Sequence, residues 1–271
     1  MGSFDQAGLQ ALVQTTSAAN YTDERILSIR HWSPTVLSFR TTRYANFRFT
    51  AGHYARLGLA AAGRDDVVWR PYSIVSPAWA EYLEFLAVLI PGGAFSERLA
   101  SLRVDDPIRV EKPAYGFLTV DRLSPGRDLW LIASGTGIGP FVSILHEPDL
   151  WLQFERLIVV HSVRRAAELA YREEILALPD NALFADRRAR LHYLPVVTRE
   201  MGASGLADRI PLLLADGRLE QAICPLEAAY SRVMVCGNPE LAADLRRQLQ
   251  QRGLATGRRG VAGQMAFEQY W

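Results

Sequence analysis

One short segment carries a guanidinium, a phenol and a hydroxyl within four positions, Arg70-Pro71-Tyr72-Ser73. Arg70 can hold a phosphate or pyrophosphate in a planar fork, Tyr72 offers a flat face to an aromatic ring, and Ser73 can donate or accept a hydrogen bond. Residues 67–76 alternate β-branched and aromatic side chains, which predicts a strand with Arg70 and Tyr72 on one face. A flavin dinucleotide, with its diphosphate and flat ring, would fit. An edge strand without a ligand would show the same residues, since Pro71 cannot donate to a ladder.

Two turns in the second half of the chain each join a predicted strand to a predicted helix. They are Gly135-Thr136-Gly137-Ile138-Gly139-Pro140 and Cys236-Gly237-Asn238-Pro239. Free amides and the helix dipole at such turns attract a pyrophosphate, although the third glycine comes one residue early for the common dinucleotide fingerprint. Ligands of parallel sheets collect at the carboxyl ends of strands, so we expect both turns to face one crevice. Cys236 is predicted to lie there partly buried, as a soft thiol near a nicotinamide ring or as a small buried hydrophobe.

Three arginines follow predicted strands of the same half, namely Arg164, Arg199 and Arg209. A ribose 2′-hydroxyl is usually bound by an acidic residue at a strand end, whereas a 2′-phosphate is bound by arginines. No acidic residue stands at the corresponding position after the second strand of this half, which favours NADP(H) over NAD(H) as a hypothesis. With 30 basic residues in the chain, any one of these arginines could equally be a solvated surface residue.

Two further segments could contact a flavin. Residues 91–99 begin with glycines and contain Ser96 in a first helical turn, which could bind the diphosphate or could be an ordinary glycine-rich turn. Residues 265–271 end the sequence with Tyr270 and Trp271 after Phe267. Chain ends are usually polar and frayed, so we expect this aromatic tail to pack on core surface or on a ring system.

Size and composition describe an ordinary globular protein of 271 residues, 49% apolar and 22% charged, with a net charge of +1. These values give no reason to expect nucleic-acid binding, and no apolar run approaches the length of a membrane span. Residues 1–20 lack the features of a secretory signal. Two cysteines predict a reducing, cytoplasmic location and no disulfide framework. They cannot supply the four thiolates of a plant-type two-iron cluster, and we predict no metal site.

The predicted elements change character near residues 124–127. Before them, short strands at residues 24–30, 36–42, 51–59, 67–76 and 82–90 suggest an antiparallel β-barrel. After them, strands at 128–133, 156–161, 192–197 and 233–236 alternate with helices at 141–146, 168–178, 210–216 and 240–252, which indicates a doubly wound parallel sheet. We therefore predict an extension at residues 1–20, a barrel domain at 21–123 and an α/β domain at 124–271.

Taken together, these segments resemble the bacterial ferredoxin–NADP⁺ reductases from about Tyr21 to Trp271. The family's R-x-Y-S signature matches Arg70–Ser73, its nucleotide turn matches Gly135–Pro140, and its C-G-x-P turn matches Cys236–Pro239. The resemblance implies an FAD-binding barrel followed by an NADP-binding α/β domain. It also implies an enzyme that transfers a hydride between NADP(H) and flavin N5, and single electrons between the flavin and ferredoxin or flavodoxin.

Residue roles follow from the resemblance. Tyr72 is expected to stack on the isoalloxazine, Ser73 to bond near flavin N5, and Arg70 to hold the pyrophosphate. Catalytic roles are expected for Ser73, Tyr72 and Cys236. The remaining expected FAD contacts are Pro71, Ala87, Val88, Leu89, Ala94, Phe95, Ser96, Thr136, Phe267, Tyr270 and Trp271. The expected NADP contacts are Gly135, Gly137, Arg164, Arg199, Arg209, Gly237, Asn238 and Pro239.

Two other functions remain compatible with the sequence. A flavin reductase could serve an oxygenase or reduce soluble acceptors, and a non-catalytic nucleotide-binding module could sense redox state. The sensor would keep the phosphate-binding turns but would not need Ser73. The preferred hypothesis is a monomeric reductase with a small acidic electron carrier as its partner.

Overall fold

The structure is a computed structural model that describes residues 20–60, 66–258 and 260–269. Its first sheet has, within those ranges, six antiparallel strands in the spatial order β4-β3-β6-β1-β2-β5. These strands are β1 (Tyr21–Ser33), β2 (Val36–Thr42), β3 (Tyr54–Ala60), β4 (Val67–Ser73), β5 (Tyr82–Val88) and β6 (Pro107–Glu111). The outer strands meet where Ile74 bridges Phe85 and the Val75 amide donates to the Glu84 carbonyl at 2.8 Å. The sheet therefore closes on itself as a barrel.

Alternating side chains fill the barrel. Apolar residues such as Phe39, Leu57, Phe85 and Val110 point inward and are almost fully buried. Helix α1 (Ala94–Ser101) closes one end, because its buried Phe95 and Leu99 belong to the same core cluster.

The second sheet is parallel and has, in the described part of the chain, five strands in the order β11-β10-β7-β8-β9. They are β7 (Asp128–Ser134), β8 (Arg156–Val163), β9 (Arg190–Val197), β10 (Ser231–Gly237) and β11 (Met265–Gln269). Two apolar clusters cover the two faces, which explains the continuous apolar runs of β7 and β10. The chain leaves β7 toward β8 on one side and later returns to β10 on the other. The carboxyl ends of β7 and β10 therefore border the switch-point crevice where ligands of such sheets bind.

Helices connect the parallel strands. They are α2 (Gly139–Leu145), α3 (Pro148–Gln153), α4 (Arg172–Ala177), α5 (Ile210–Ala215), α6 (Arg218–Gln221) and α7 (Pro239–Gln251). Asn238 caps α7 as its position predicts, since its side chain accepts the Leu241 amide at 2.9 Å. No helix in residues 20–60, 66–258 and 260–269 combines the length and apolar character needed to cross a membrane.

Side chains join the barrel to the parallel sheet away from the crevice. Glu84 of β5 accepts hydrogen bonds from Arg40 at 2.9 Å and from the Tyr171 hydroxyl at 2.8 Å. The Ser143 hydroxyl of α2 donates to the Ser76 carbonyl at 2.8 Å. The Tyr171–Glu84 and Ser143–Ser76 bonds are buried and fix the relative position of the two sheets.

The predicted fold class, an antiparallel barrel plus a doubly wound parallel sheet, is confirmed. The sequence analysis missed β6 and did not recognise the tail as strand β11. The single helix predicted over residues 168–178 is wrong at its start: Tyr171 has a left-handed backbone, with φ 61°, and α4 begins only after it. The predicted extension at residues 1–20 lies outside the described residues except for Asn20.

A buried carboxylate supports the first strand of the parallel sheet. Asp128 is fully buried, and Arg156 binds it with two hydrogen bonds of 2.6 and 2.8 Å while Arg127 binds it at 2.9 Å. Burial alone would raise the pKa of Asp128, but the hydrogen bonds from Arg156 and Arg127 outweigh it and hold the pKa below its ordinary value.

Replacing Asp128 with Asn should therefore lower the free energy of unfolding by about 3 kcal/mol at neutral pH, because two guanidinium groups lose a buried charged partner. Urea unfolding measures this difference. The matched control is Asp244→Asn, whose exposed pair with Arg247 should change stability by less than about 1 kcal/mol. Since the Asp128 contribution is present at neutral pH and lost as pH falls through its lowered pKa, the gap between wild type and Asp128→Asn should narrow in acid. If Asp128→Asn and Asp244→Asn lowered the free energy of unfolding by the same amount, the structural role of Asp128 would be contradicted.

Candidate active site

The segment Arg70–Ser73 ends β4 at the edge of the barrel sheet. Arg70 is exposed, and Tyr72 lies against Phe95 of α1 with ring centroids 5.2 Å apart. Burial raises the pKa of Tyr72 to about 12, so its phenol is neutral across the physiological range. The structure thus brings the predicted segment 70–73 next to the predicted segment 94–96.

The Ser96 side chain at the start of α1 takes part in an ordinary glycine-rich turn, which is one of the two interpretations of residues 91–99. Ser96 is buried, and its hydroxyl accepts the Ile90 amide at 3.0 Å, which stabilises the glycine-rich turn. Gly93 caps the helix without a side-chain hydrogen bond, so amides of the first turn are not covered by a capping side chain. Ala87 is buried in the barrel core, while Val88 and Leu89 are half-buried at the end of β5.

A hydrogen bond joins the barrel segment to the last strand of the parallel sheet. Ser73 is buried, and its hydroxyl donates to Oε1 of Glu268 at 2.9 Å. Burial raises the pKa of Glu268 to about 7, although the bond from Ser73 opposes the rise. The sequence analysis missed Glu268. The sequence feature that could have identified Glu268 is the alternation of residues 265–269, which predicts a strand with this carboxylate on the face opposite Phe267.

Phe267 lies on the face of β11 that packs against the helical layer. It packs on the apolar cluster beneath α7, and the Arg246 guanidinium lies 4.5 Å from its ring centre. Because successive side chains of β11 point to opposite faces, Glu268 faces Ser73 while Phe267 faces away. The contact of Phe267 with the flavin or its adenine remains a prediction. Tyr270 and Trp271 lie outside the described residues.

The two glycine turns meet at the crevice as predicted. The first forms a 3₁₀ turn at Gly135–Ile138. A Cβ on Gly137 would lie 2.2 Å from the Cys236 carbonyl oxygen, so only glycine allows the two strand ends to approach this closely. A hydrogen bond links the second turn to the end of β7, because the backbone amide of Asn238 donates to the Ser134 hydroxyl at 3.2 Å. Thr136 and Pro239 are half-buried at this junction.

Cys236 is more deeply buried than predicted. Its exposed fraction is 0%, and it belongs to the apolar cluster on one face of the parallel sheet. The physical reason is that β10 is a central strand covered on both faces. The expectation of a partly buried thiol is wrong, and its catalytic role remains a prediction.

The predicted arginines occupy neighbouring loops. Arg164 and Arg199 are both exposed, and the Arg199 amide donates to the Arg164 carbonyl at 2.8 Å. Two carboxylates stabilise these loops. Glu168 accepts a hydrogen bond from the Arg164 backbone amide at 3.0 Å, and Glu200 accepts one from the Ala166 backbone amide at 2.9 Å. Arg209 lies at the start of α5 and is 3.7 Å from Glu240. The structure thus places Arg164 and Arg199 side by side.

Comparisons with known proteins define the class first. Residues 28–118 match the family described as "Oxidoreductase FAD-binding domain", and residues 131–247 match "Oxidoreductase NAD-binding domain". The barrel with its Arg70–Ser73 edge and the parallel sheet with its two glycine turns are therefore those of a flavin- and nicotinamide-dependent oxidoreductase.

Relatives narrow the class to one family. The chain is 38% identical to "Ferredoxin--NADP reductase A" of Sorangium cellulosum, over 92% of this chain and 89% of the relative. It is 36% identical to "Flavodoxin/ferredoxin--NADP reductase" of Rhodobacter capsulatus, over 86% and 87%. A crystal structure of a ferredoxin NADP⁺ reductase from Neisseria gonorrhoeae with bound FAD and NADP matches with a TM-score of 0.86 and 36% identity, over 93% of this chain and all of that chain. The chain belongs to the ferredoxin–NADP reductase family, which confirms the predicted family.

Proposed function

We propose that this chain is an FAD-dependent reductase that transfers a hydride between NADP(H) and flavin N5, and single electrons between the flavin and a ferredoxin or flavodoxin. The observation that carries the proposal is the 2.9 Å hydrogen bond between Ser73 and Glu268. It places the barrel segment with Arg70 and Tyr72 against the sheet that carries the two glycine turns. Groups suited to a flavin and groups suited to a nicotinamide nucleotide therefore share one cleft.

The residues present fit both cofactors. On the barrel side, the exposed Arg70 and the first amides of α1 provide the cationic and N–H groups that a diphosphate needs. On the sheet side, Gly135 has φ +55° and nothing within 4 Å of the position of a Cβ, so a ligand can approach its backbone. Arg164 and Arg199 supply two exposed guanidiniums at the neighbouring strand ends.

FAD, when bound, supplies the chemistry: it exchanges a hydride with nicotinamide and single electrons with the carrier. Tyr72 gives a flat, neutral wall for a ring. Ser73 presents a hydroxyl whose direction is fixed by Glu268. Because the pKa of Glu268 is about 7, its carboxyl group can hold or release a proton at neutral pH. Burial of Ser73 limits the access of water to this pair.

The finer assignments are part of the same proposal. Residues 21–123 would bind FAD and residues 124–271 would bind NADP, with a small acidic ferredoxin or flavodoxin as the partner. Monomeric state and cytoplasmic location are carried forward from the sequence.

A spectroscopic experiment tests the function. The purified protein should show flavin absorption, or acquire it with FAD, and NADPH should bleach it without oxygen. The reduced protein should then pass electrons to ferredoxin or flavodoxin faster than to free flavin or ferric complexes. A protein that takes up no FAD would contradict the proposal. Faster reduction of soluble acceptors would support the alternative flavin reductase.

A further inference from the structure

A buried histidine touches the first glycine turn from inside the sheet. His161 of β8 has an exposed fraction of 0%. Its Nε2 lies 3.0 Å from the Gly135 carbonyl oxygen, and its Nδ1 lies 2.9 Å from the hydroxyl of Tyr193 on β9. The side chain therefore links three neighbouring elements: β9, β8 and the turn that follows β7.

The chemistry of these partners fixes the protonation of the ring. Burial lowers the pKa of His161 to about 4, so the imidazole is neutral at physiological pH and carries one N–H. A carbonyl oxygen can only accept, so the proton resides on Nε2, which donates to Gly135. Nδ1 is then an acceptor, and the Tyr193 hydroxyl donates to it.

The bond to Gly135 sets the direction of a peptide plane. In a trans peptide, the C=O of one residue and the N–H of the next point in opposite directions. Since the Gly135 carbonyl points inward to His161, the Thr136 N–H points away from His161, toward the exposed side of the turn. Gly135 is exposed and has a positive φ, a conformation that glycine permits but does not fix by itself.

We propose that His161, oriented by Tyr193, is a positioning residue that holds the Gly135–Thr136 peptide with its N–H toward the bound nicotinamide nucleotide. This inference rests on the proposed function, because it concerns the nucleotide bound at that turn. The group recognised is a hydrogen-bond acceptor on the pyrophosphate or nicotinamide half of the nucleotide. His161 itself does not touch the ligand.

The experiment compares two substitutions in the FAD-loaded protein. His161→Leu removes both hydrogen bonds and should weaken NADP⁺ binding about ten-fold, measured from the flavin difference spectrum. His161→Gln can still donate to Gly135 and accept from Tyr193, so it should recover most of that loss. The matched control is His192→Leu, on the neighbouring strand next to Tyr193, which should bind NADP⁺ like the wild type.

A second probe separates a local effect from general damage. 2′-Phospho-AMP lacks the nicotinamide half and the pyrophosphate, so its affinity should be unchanged in both His161 variants. Equal weakening of the binding of both ligands, or equal affinities of the Leu and Gln variants for NADP⁺, would overturn the inference.

If His161→Leu does not fold, Tyr193→Phe provides the test. Loss of the hydroxyl should weaken the binding of NADP⁺ but not of 2′-phospho-AMP, and unchanged NADP⁺ binding would overturn the inference. A wild-type protein that binds no FAD would instead refute the proposed function.

Discussion

Glu268→Gln should slow the transfer of electrons from the reduced flavin to ferredoxin or flavodoxin about 100-fold, because the proton on flavin N5 must leave as the flavin is reoxidised and a positioned proton-transfer group usually contributes this much. Gln still accepts a hydrogen bond from Ser73 but cannot hold a proton at neutral pH. Stopped-flow absorbance of the FAD-loaded protein measures the rate. In the wild type, the rate should change with pH near 7, where Glu268 titrates, and the Gln variant should lose that change.

The same substitution should stabilise the folded protein in alkaline solution. The pKa of Glu268 is raised from 4.5 to about 7, so the folded state binds a proton more tightly than the unfolded chain does. The stability from this group is fully present below pH 4.5 and is lost as pH rises through 7, at a cost of up to about 3 kcal/mol. Glu268→Gln removes that cost. Higher stability at pH 8 with lower activity is the signature of a functional carboxylate rather than a structural one.

Two further variants complete this prediction. Ser73→Ala should slow flavin reoxidation by about ten-fold, because the Glu268 carboxyl loses one hydrogen bond while it keeps its ability to titrate. Glu227→Gln replaces an exposed carboxylate in the loop before β10 and should leave both rate and stability unchanged. If the reduced Glu268→Gln variant passes electrons to the carrier at the wild-type rate at every pH, Glu268 has no catalytic role.

The parts of the site that sequence could predict are local. Arg70, Tyr72 and Ser73 lie within four positions of one strand, and each glycine turn lies between adjacent elements, so short-range pattern and turn chemistry suffice. The carboxyl ends of β7 and β10 meet because parallel sheets of this kind follow a rule of topology. Arg164 and Arg199 come together for the same reason.

The parts that sequence missed depend on distant pairings. Glu268 meets Ser73 only because β11 adds to the edge of the parallel sheet beside β10, in the register that pairs Cys236 with Glu268. A shift of one residue would exchange the faces of Glu268 and Phe267. The burial of Cys236 likewise depends on cover from both faces of the sheet. The residues around Glu268 can indicate a strand and its two faces, but not which strand lies beside it or what covers the sheet.

Arg164→Ala combined with Arg199→Ala should weaken NADPH binding about 100-fold or more and leave NADH binding nearly unchanged. Each guanidinium would lose a charge-assisted hydrogen bond to the 2′-phosphate, which NADH lacks, and such bonds contribute about 1.5–3 kcal/mol each. The measurement is kcat/KM for each nucleotide with a soluble acceptor. Arg209→Ala tests the third predicted arginine separately, and its exposed pair with Glu240 should itself matter little to stability.

The control for this prediction is Arg103→Ala, which removes an exposed arginine from the barrel and should affect neither nucleotide. Equal losses for NADPH and NADH in the double variant would show that the arginines maintain the loops rather than read the phosphate. The structure argues against such a role, because backbone amides of these loops donate hydrogen bonds to Glu168 and Glu200. Removing the guanidiniums leaves those bonds in place. The loops should therefore keep their shape, and the lost affinity should be specific to the nucleotide that carries the 2′-phosphate.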